Sequence, residues 1–207
     1  MIRIIDGQSP EVKYLDYQEC AYIHSNLIPN GFLPSLGINF LAGLYESFSI
    51  SKHSFLMLAI ENEKVLGFIA VSFNTNKFFK WYIATQIYKH VFKIPFKILG
   101  KTFFKKILDL LTYPYKNKSS SEGFISNSEI FNFCVTKEIQ GKGVGKLLFS
   151  NAVSRLENQN IETLKIVTGG DQKTAHNFYN KVGAILSGET TIHDSENSLV
   201  FSYKMEK

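Results

Sequence analysis

Gln140-Gly141-Lys142-Gly143-Val144-Gly145-Lys146 is the stretch whose residue types and spacing point most directly to chemistry. Glycines at 141, 143 and 145 let the backbone take φ > 0 and approach a ligand without a Cβ in the way. The alternating run Glu129–Val135 before it reads as a strand. The segment after it reads as a helix over 145–158, with Leu147, Leu148, Val153 and Leu156 as the buried face. The unpaired N–H groups and positive dipole end of that helix then point into the turn, which favours an anion such as a pyrophosphate. Lys142 and Lys146 can add charge-assisted contacts. A nucleotide-binding phosphate loop is excluded, because Leu147 stands where Ser or Thr must follow Gly-Lys. A dinucleotide fingerprint fails as well, since its glycine spacing differs and the βαβ opening is missing. The alternative is a tight strand-to-helix turn with no ligand.

The surrounding pattern predicts a mixed α/β chain. A short strand is expected at 2–5. A helix is expected over 11–28, with Val12, Leu15, Glu19, Tyr22 and Ile23 at helical spacing, and a second helix carries Phe40, Leu44 and Phe48 on one stripe. The runs SFLMLAI and VLGFIAVSF, joined by Glu61-Asn62-Glu63-Lys64, read as a hairpin. After the glycine turn come a strand TLKIVT, a helix over about 173–181 and a final hairpin, AILSGETT with SLVFSYKM. Between the first hairpin and Glu129, residues 74–118 break the rhythm. Two helical stretches there, over 81–94 and 101–111, are separated by Pro95 and Gly100, closed by Tyr113-Pro114 and followed by the polar linker 116–123.

The chain has 207 residues, 44% hydrophobic and 20% charged, which suits one domain spanning 1–207 with 74–118 as a helical insertion. Cys20 and Cys134 lie far apart without metal-ligand spacing, so neither a disulfide framework nor a metal site is expected. No signal peptide and no run long enough to span a membrane is read, which makes the cytoplasm the expected location. The net charge of +5 is regional: residues 74–118 hold ten lysines against one acid, Asp109. Eleven aromatics are interleaved with those lysines. That composition suits interfacial helices on anionic lipid at the inner face of a membrane, a cover over an acceptor pocket, or an extra helical layer with solvated lysines. No nucleic-acid motif accompanies it, so nucleic acid is not an expected partner.

Strand, then Gln-x-x-Gly-x-Gly, then helix resembles the coenzyme motif of the GNAT family of N-acetyltransferases, matched by Gln140, Gly143 and Gly145. Ala175, Phe178, Tyr179, Lys181 and Gly183 resemble the family's second motif, so the likeness covers about 128–186. It implies a central, mostly antiparallel mixed sheet flanked by helices, with the insertion before the coenzyme-binding strand. It also implies acetyl-CoA as co-substrate. Main-chain groups around Cys134 and Val135 would hold the pantetheine, and amides of 141–146 (Gly141, Lys142, Gly143, Val144, Gly145 and Lys146) the pyrophosphate. Tyr179 would protonate the leaving thiolate after direct attack by an amine. Gln172 stands where relatives carry an Asn that touches the coenzyme, and Ala184 replaces their Phe.

For the general base, Glu129 at the strand start and His176 beside Tyr179 are the candidates. Cys134 as a nucleophile lacks a paired base, and a buried strand thiol is the expected alternative. The segment 30–37 with FLAGLYESF resembles acetyltransferases of bacterial surface-glycan pathways, which implies an amino-sugar acceptor, free or nucleotide-linked. A protein or peptide amine is the second expectation, and a non-catalytic, membrane-associated coenzyme module the third. A second copy of the chain is a further candidate partner.

Overall fold

The computed structural model describes residues 1–29, 31–91, 126–191 and 197–205. Its framework is a seven-stranded sheet in the order β1-β2-β3-β4-β5-β7-β6. The strands are β1 (Arg3–Asp6), β2 (Ser54–Glu61), β3 (Lys64–Ser72), β4 (Glu129–Val135), β5 (Thr163–Gly169), β6 (Ile185–Thr191) and β7 (Asn197–Lys204). Every pairing is antiparallel except β4 with β5. The hairpin β2–β3 closes through Asn62 and Glu63, both at positive φ, as a two-residue turn matched to strand twist requires.

Helices α1 (Tyr14–Leu27), α2 (Phe32–Ser35), α3 (Ile38–Ile50), α4 (Thr75–Thr85) and α5 (Ile87–Val91) precede β4; α6 (Val144–Glu157) and α7 (Lys173–Lys181) follow it. The sheet divides two apolar cores. On one side α1, α3 and α4 pack Tyr45, Phe48 and Phe78 against Phe68 and Phe131. On the other, α6 and α7 pack Leu148, Phe149 and Tyr179 against Ile69, Ile166 and Phe201. Among the described residues no helix is long and apolar enough to cross a membrane.

Three details depart from the periodicity. In α1 the inward residues are Tyr17, Cys20, Ala21, Ile23 and His24, while Leu15 and Tyr22 are 60% and 55% exposed. Ile23 of the expected stripe does face inward, but the inner face also carries a histidine and a cysteine, which apolar spacing passes over in favour of Leu15 and Tyr22. In α6, Leu147 is exposed, and Val144, Phe149 and Ala152 are buried with Leu148, Val153 and Leu156. The helix expected to start at Trp81 begins instead at Thr75, because the Asn74 side chain accepts the Lys77 N–H at 3.0 Å and caps it. The rest of the basic segment from residue 92, with Pro95, Gly100, Asp109 and the linker 116–123, lies outside the described residues.

Candidate active site

The site begins with an interruption in β4. Ala70 pairs with Asn132 and Val71 with Ile130, so Phe131 is an extra residue, a β-bulge. The bulge places both Phe131 and Asn132 on the α1–α3 side, while Ile130, Phe133 and Val135 face α6 and α7. Beside it, β4 pairs with β5 only at Glu129 with Lys165 and Ile130 with Ile166. Beyond those pairs the two parallel strands part, leaving a gap in the middle of the sheet.

Antiparallel pairing decides which backbone groups face that gap. The Thr136 N–H donates to the Leu66 carbonyl at 2.9 Å. By the two-residue alternation the backbone of Cys134 is then committed to Phe68 of β3, and that of Phe133 and Val135 turns towards the gap. The backbone groups that face the gap are therefore those of Phe133 and Val135, and the Cys134 backbone, expected to face it, is turned to β3. The Val135 carbonyl accepts the Gln140 Nε2 at 2.9 Å, which ties the turn to the end of β4.

Gly141 and Gly143 adopt φ of 77° and 85°. A Cβ added at either would touch nothing, so glycine is required there by backbone conformation rather than by space. Gly145 differs, with Phe178 and Phe133 at 3.5 and 3.6 Å from such a Cβ. Gly143 caps α6 without a side-chain partner. The amides of Gly141, Gly143, Val144, Gly145 and Lys146 donate to no acceptor among the described residues, so they stand as an anion cradle. Lys142 and Lys146 are exposed at its rim.

A cavity of about 460 Å³ opens from this turn. Phe133, Cys134 and Val135 of β4 line it, as do Gln140, Gly141 and Gly145 of the turn. The start of α7 contributes Gln172, Lys173 and Thr174, followed by Phe178 and Tyr179. Leu27 and Ile28, at the end of α1, complete it. Tyr179 is 5% exposed, and burial raises its pKa above the ordinary phenol value, so the hydroxyl holds its proton at neutral pH. Its ring packs against Phe133, Phe178 and Phe201. Burial pushes the Cys134 thiol up to about 12, and its Sγ donates to Asn132 Oδ1 at 3.1 Å, so the reading as a buried strand thiol fits.

The two residues weighed as the base sit elsewhere. Glu129 is buried at the closed end of the gap, with Lys165 Nζ 3.5 Å from its carboxylate. His176 places Nε2 2.9 Å from the Gly169 carbonyl and stacks near Phe201. Neither lines the cavity. Sequence reasoning missed Leu27, Ile28 and Phe133, and Lys173 and Thr174 beside the expected Gln172, as lining residues. The first two required knowing how α1 packs. The others sit beside Val135 and Gln172, where alternation along β4 and the strand-to-helix turn after β5 were the available signals.

Residues 114–205 match the sequence model of the acetyltransferase (GNAT) domain. No curated protein matches the chain in sequence. Among solved structures, an N-acetyltransferase from Staphylococcus aureus Mu50 aligns with a TM-score of 0.60 at 12% identity, covering 100% of this chain and 99% of that one. The ribosomal-protein-S18-alanine N-acetyltransferase from Escherichia coli aligns at 0.52 and 11%, covering 100% and 96%. A Bacillus anthracis protein assigned as a streptothricin acetyltransferase, solved with acetyl coenzyme A, aligns at 0.50 and 15%, covering 79% and 70%. At these identities the structures show a shared fold.

Proposed function

Because the chain carries a GNAT acetyltransferase domain, and so belongs with the acyl-CoA-dependent transferases, we propose that it moves the acetyl group of acetyl-CoA onto a primary amine by direct attack. The observation that carries this reading is the gap between β4 and β5, opening over five unpartnered amides at the start of α6. The pyrophosphate would rest on those amides, and Lys142 and Lys146 would add charge. The pantetheine would lie along the gap-facing backbone edge of Phe133 and Val135, beside the Val135 carbonyl that Gln140 holds.

At the inner end of the cavity the amine nitrogen attacks the thioester carbonyl carbon. The C–N bond forms, the C–S bond breaks, and the thiolate takes the proton of Tyr179. The surplus proton of the amine leaves to water at the mouth of the cavity, and water restores the proton of Tyr179. Burial keeps the phenol protonated at neutral pH, so a proton is in place beside the sulfur as the C–S bond breaks. The aromatic cage of Phe133 and Phe178 keeps bulk water from the reacting carbonyl.

For the acceptor we propose an amino sugar, free or nucleotide-linked, on the likeness of segment 30–37 and the following helix to glycan-pathway enzymes. A protein α-amine is the second reading, favoured by the fold shared with the E. coli S18-alanine enzyme. Residues 74–118 are then an insertion within one transferase domain. The test is thiol release from acetyl-CoA with a panel of glucosamine, an amino-sugar nucleotide, spermidine and an alanine-headed peptide. Acetylation of the sugars supports the first reading, and acetylation of the peptide alone replaces it by the second. Silence with every amine overturns the transfer reading.

A further inference from the structure

One polar cluster on the opposite face of β4 remains without a role in the transfer chemistry above. His24 is 3% exposed in α1, and its Nδ1 lies 2.6 Å from the hydroxyl of Tyr45, which α3 buries completely. The Asn132 Nδ2 lies 3.2 Å from both ring nitrogens of His24. On its other side the Asn132 carboxamide takes the Cys134 S–H. Four polar side chains from three elements thus converge in a core otherwise made of aromatic and aliphatic groups.

The position of the cluster connects it to the cavity. Leu27 and Ile28 line the cavity, and His24 lies one helical turn before them on the same face of α1. Cys134 and Phe133 line it from β4, and Asn132 is their neighbour at the bulge. Unlike His24 and Tyr45, Asn132 is partly exposed, although it sits on a central strand. Its hydrogen-bonding capacity is also only half used. A carboxamide offers two N–H groups and two lone pairs. One N–H faces His24 and one lone pair takes the cysteine, which leaves one of each. Ser25, next to His24, has its Oγ buried without a hydrogen-bond partner, so the end of α1 holds a second unsatisfied polar group.

We propose that Asn132 binds the attacking amine, its free lone pair accepting one amine N–H, with His24 and Tyr45 as the positioning pair that fixes the carboxamide. The proposal rests on the amine-transfer reading above. It places the acceptor on the α1–α3 side of β4, across the gap from Tyr179, so that nucleophile and acid approach the thioester from opposite faces. His24 acts in its neutral form: burial lowers its pKa to about 4, which keeps the ring uncharged while it faces the amide. The titratable groups packed around it are Tyr45 from α3, Cys20 from α1 and Cys134 from β4, and burial raises the pKa of all three.

The experiment uses the full chain, acetyl-CoA and the most active amine of the panel above. Asn132→Ala is expected to lower kcat/KM for the amine about 30-fold, mostly through KM, with the acetyl-CoA Kd within about twofold of the parent. Tyr45→Phe, which deletes one core oxygen, is expected to give the same split at about fivefold. His24→Gln keeps a hydrogen-bonding group and should retain most of the activity that His24→Leu loses at equal melting temperature. If Asn132→Ala fails to fold, the split in Tyr45→Phe decides. A kcat/KM within twofold of the parent in Asn132→Ala, or a matching loss of acetyl-CoA affinity, overturns the proposal. If the parent binds acetyl-CoA and acetylates none of the amines, the transfer reading itself falls, and this assignment with it.

Discussion

On the α6–α7 face of β4 the polar atoms offered to a ligand are backbone amides, held by two glycines at positive φ and a helix start. On the α1–α3 face the polar groups are side chains from three separate elements, the partly exposed Asn132 backed by the buried His24 and Tyr45. The first arrangement is local: residues 140–146 are contiguous, and their geometry needs little beyond the strand before and the helix after. The second is tertiary, with His24 and Asn132 separated by 108 positions. A contiguous backbone cradle suits a coenzyme common to many enzymes. A side-chain cluster can change residue by residue, which suits an acceptor that differs among relatives sharing this fold. Binding of acetyl-CoA and handling of the amine should therefore fail separately under mutation.

The largest expected effect tests the backbone half. Gly143→Asp puts a side chain at a φ of 85° and a negative charge against the pyrophosphate. Losing two charge-assisted hydrogen bonds predicts about a 1000-fold weaker acetyl-CoA Kd by calorimetry. Unchanged affinity would remove the coenzyme from this turn. Next in size is a stability effect in the side-chain half. His24 titrates near 4 when folded and at the ordinary 6.5 when unfolded. Between those values the unfolded chain binds the extra proton, so stability falls as pH drops from 6.5 towards 4. The slope integrates to about 3 kcal/mol. Denaturant unfolding at pH 7 and pH 4.5 should show the fall in the parent and a much smaller one in His24→Gln. Equal falls in both would mean that His24 is not held neutral by the fold.

The same contrast explains what could be read in advance. The strands, the glycine turn and the helix α7 that carries Tyr179 were legible because each depends on residues adjacent in sequence. The inner face of α1 was not: Leu15 and Tyr22 fit the apolar spacing, yet the packed face carries Cys20 and His24. A buried histidine looks like a surface one until its partners, Tyr45 and Asn132, are placed beside it. Glu129 and His176 show the reverse. Each had the right chemistry and a suggestive position, but Lys165 and the Gly169 carbonyl stand beside them. The bulge at Phe131 was equally hidden, since one extra residue in β4 is visible only against the register of β3.

Two smaller effects sharpen the boundary between the halves. Tyr179→Phe removes the proposed acid and should lower kcat about 100-fold. The phenyl ring keeps its packing against Phe133, Phe178 and Phe201, so acetyl-CoA affinity should stay within threefold in the same preparation. A kcat loss below threefold would make this tyrosine a packing residue only. The smallest effect belongs to Gln140, whose side chain holds the Val135 carbonyl from an exposed position. Gln140→Ala removes one hydrogen bond, worth about 1 kcal/mol, and lets the turn drift from the end of β4. The acetyl-CoA Kd should rise about fivefold while kcat at saturating coenzyme is kept. A fall in kcat instead would mean that the turn and the bulge are mechanically linked through β4, and that the two faces of the site are not independent.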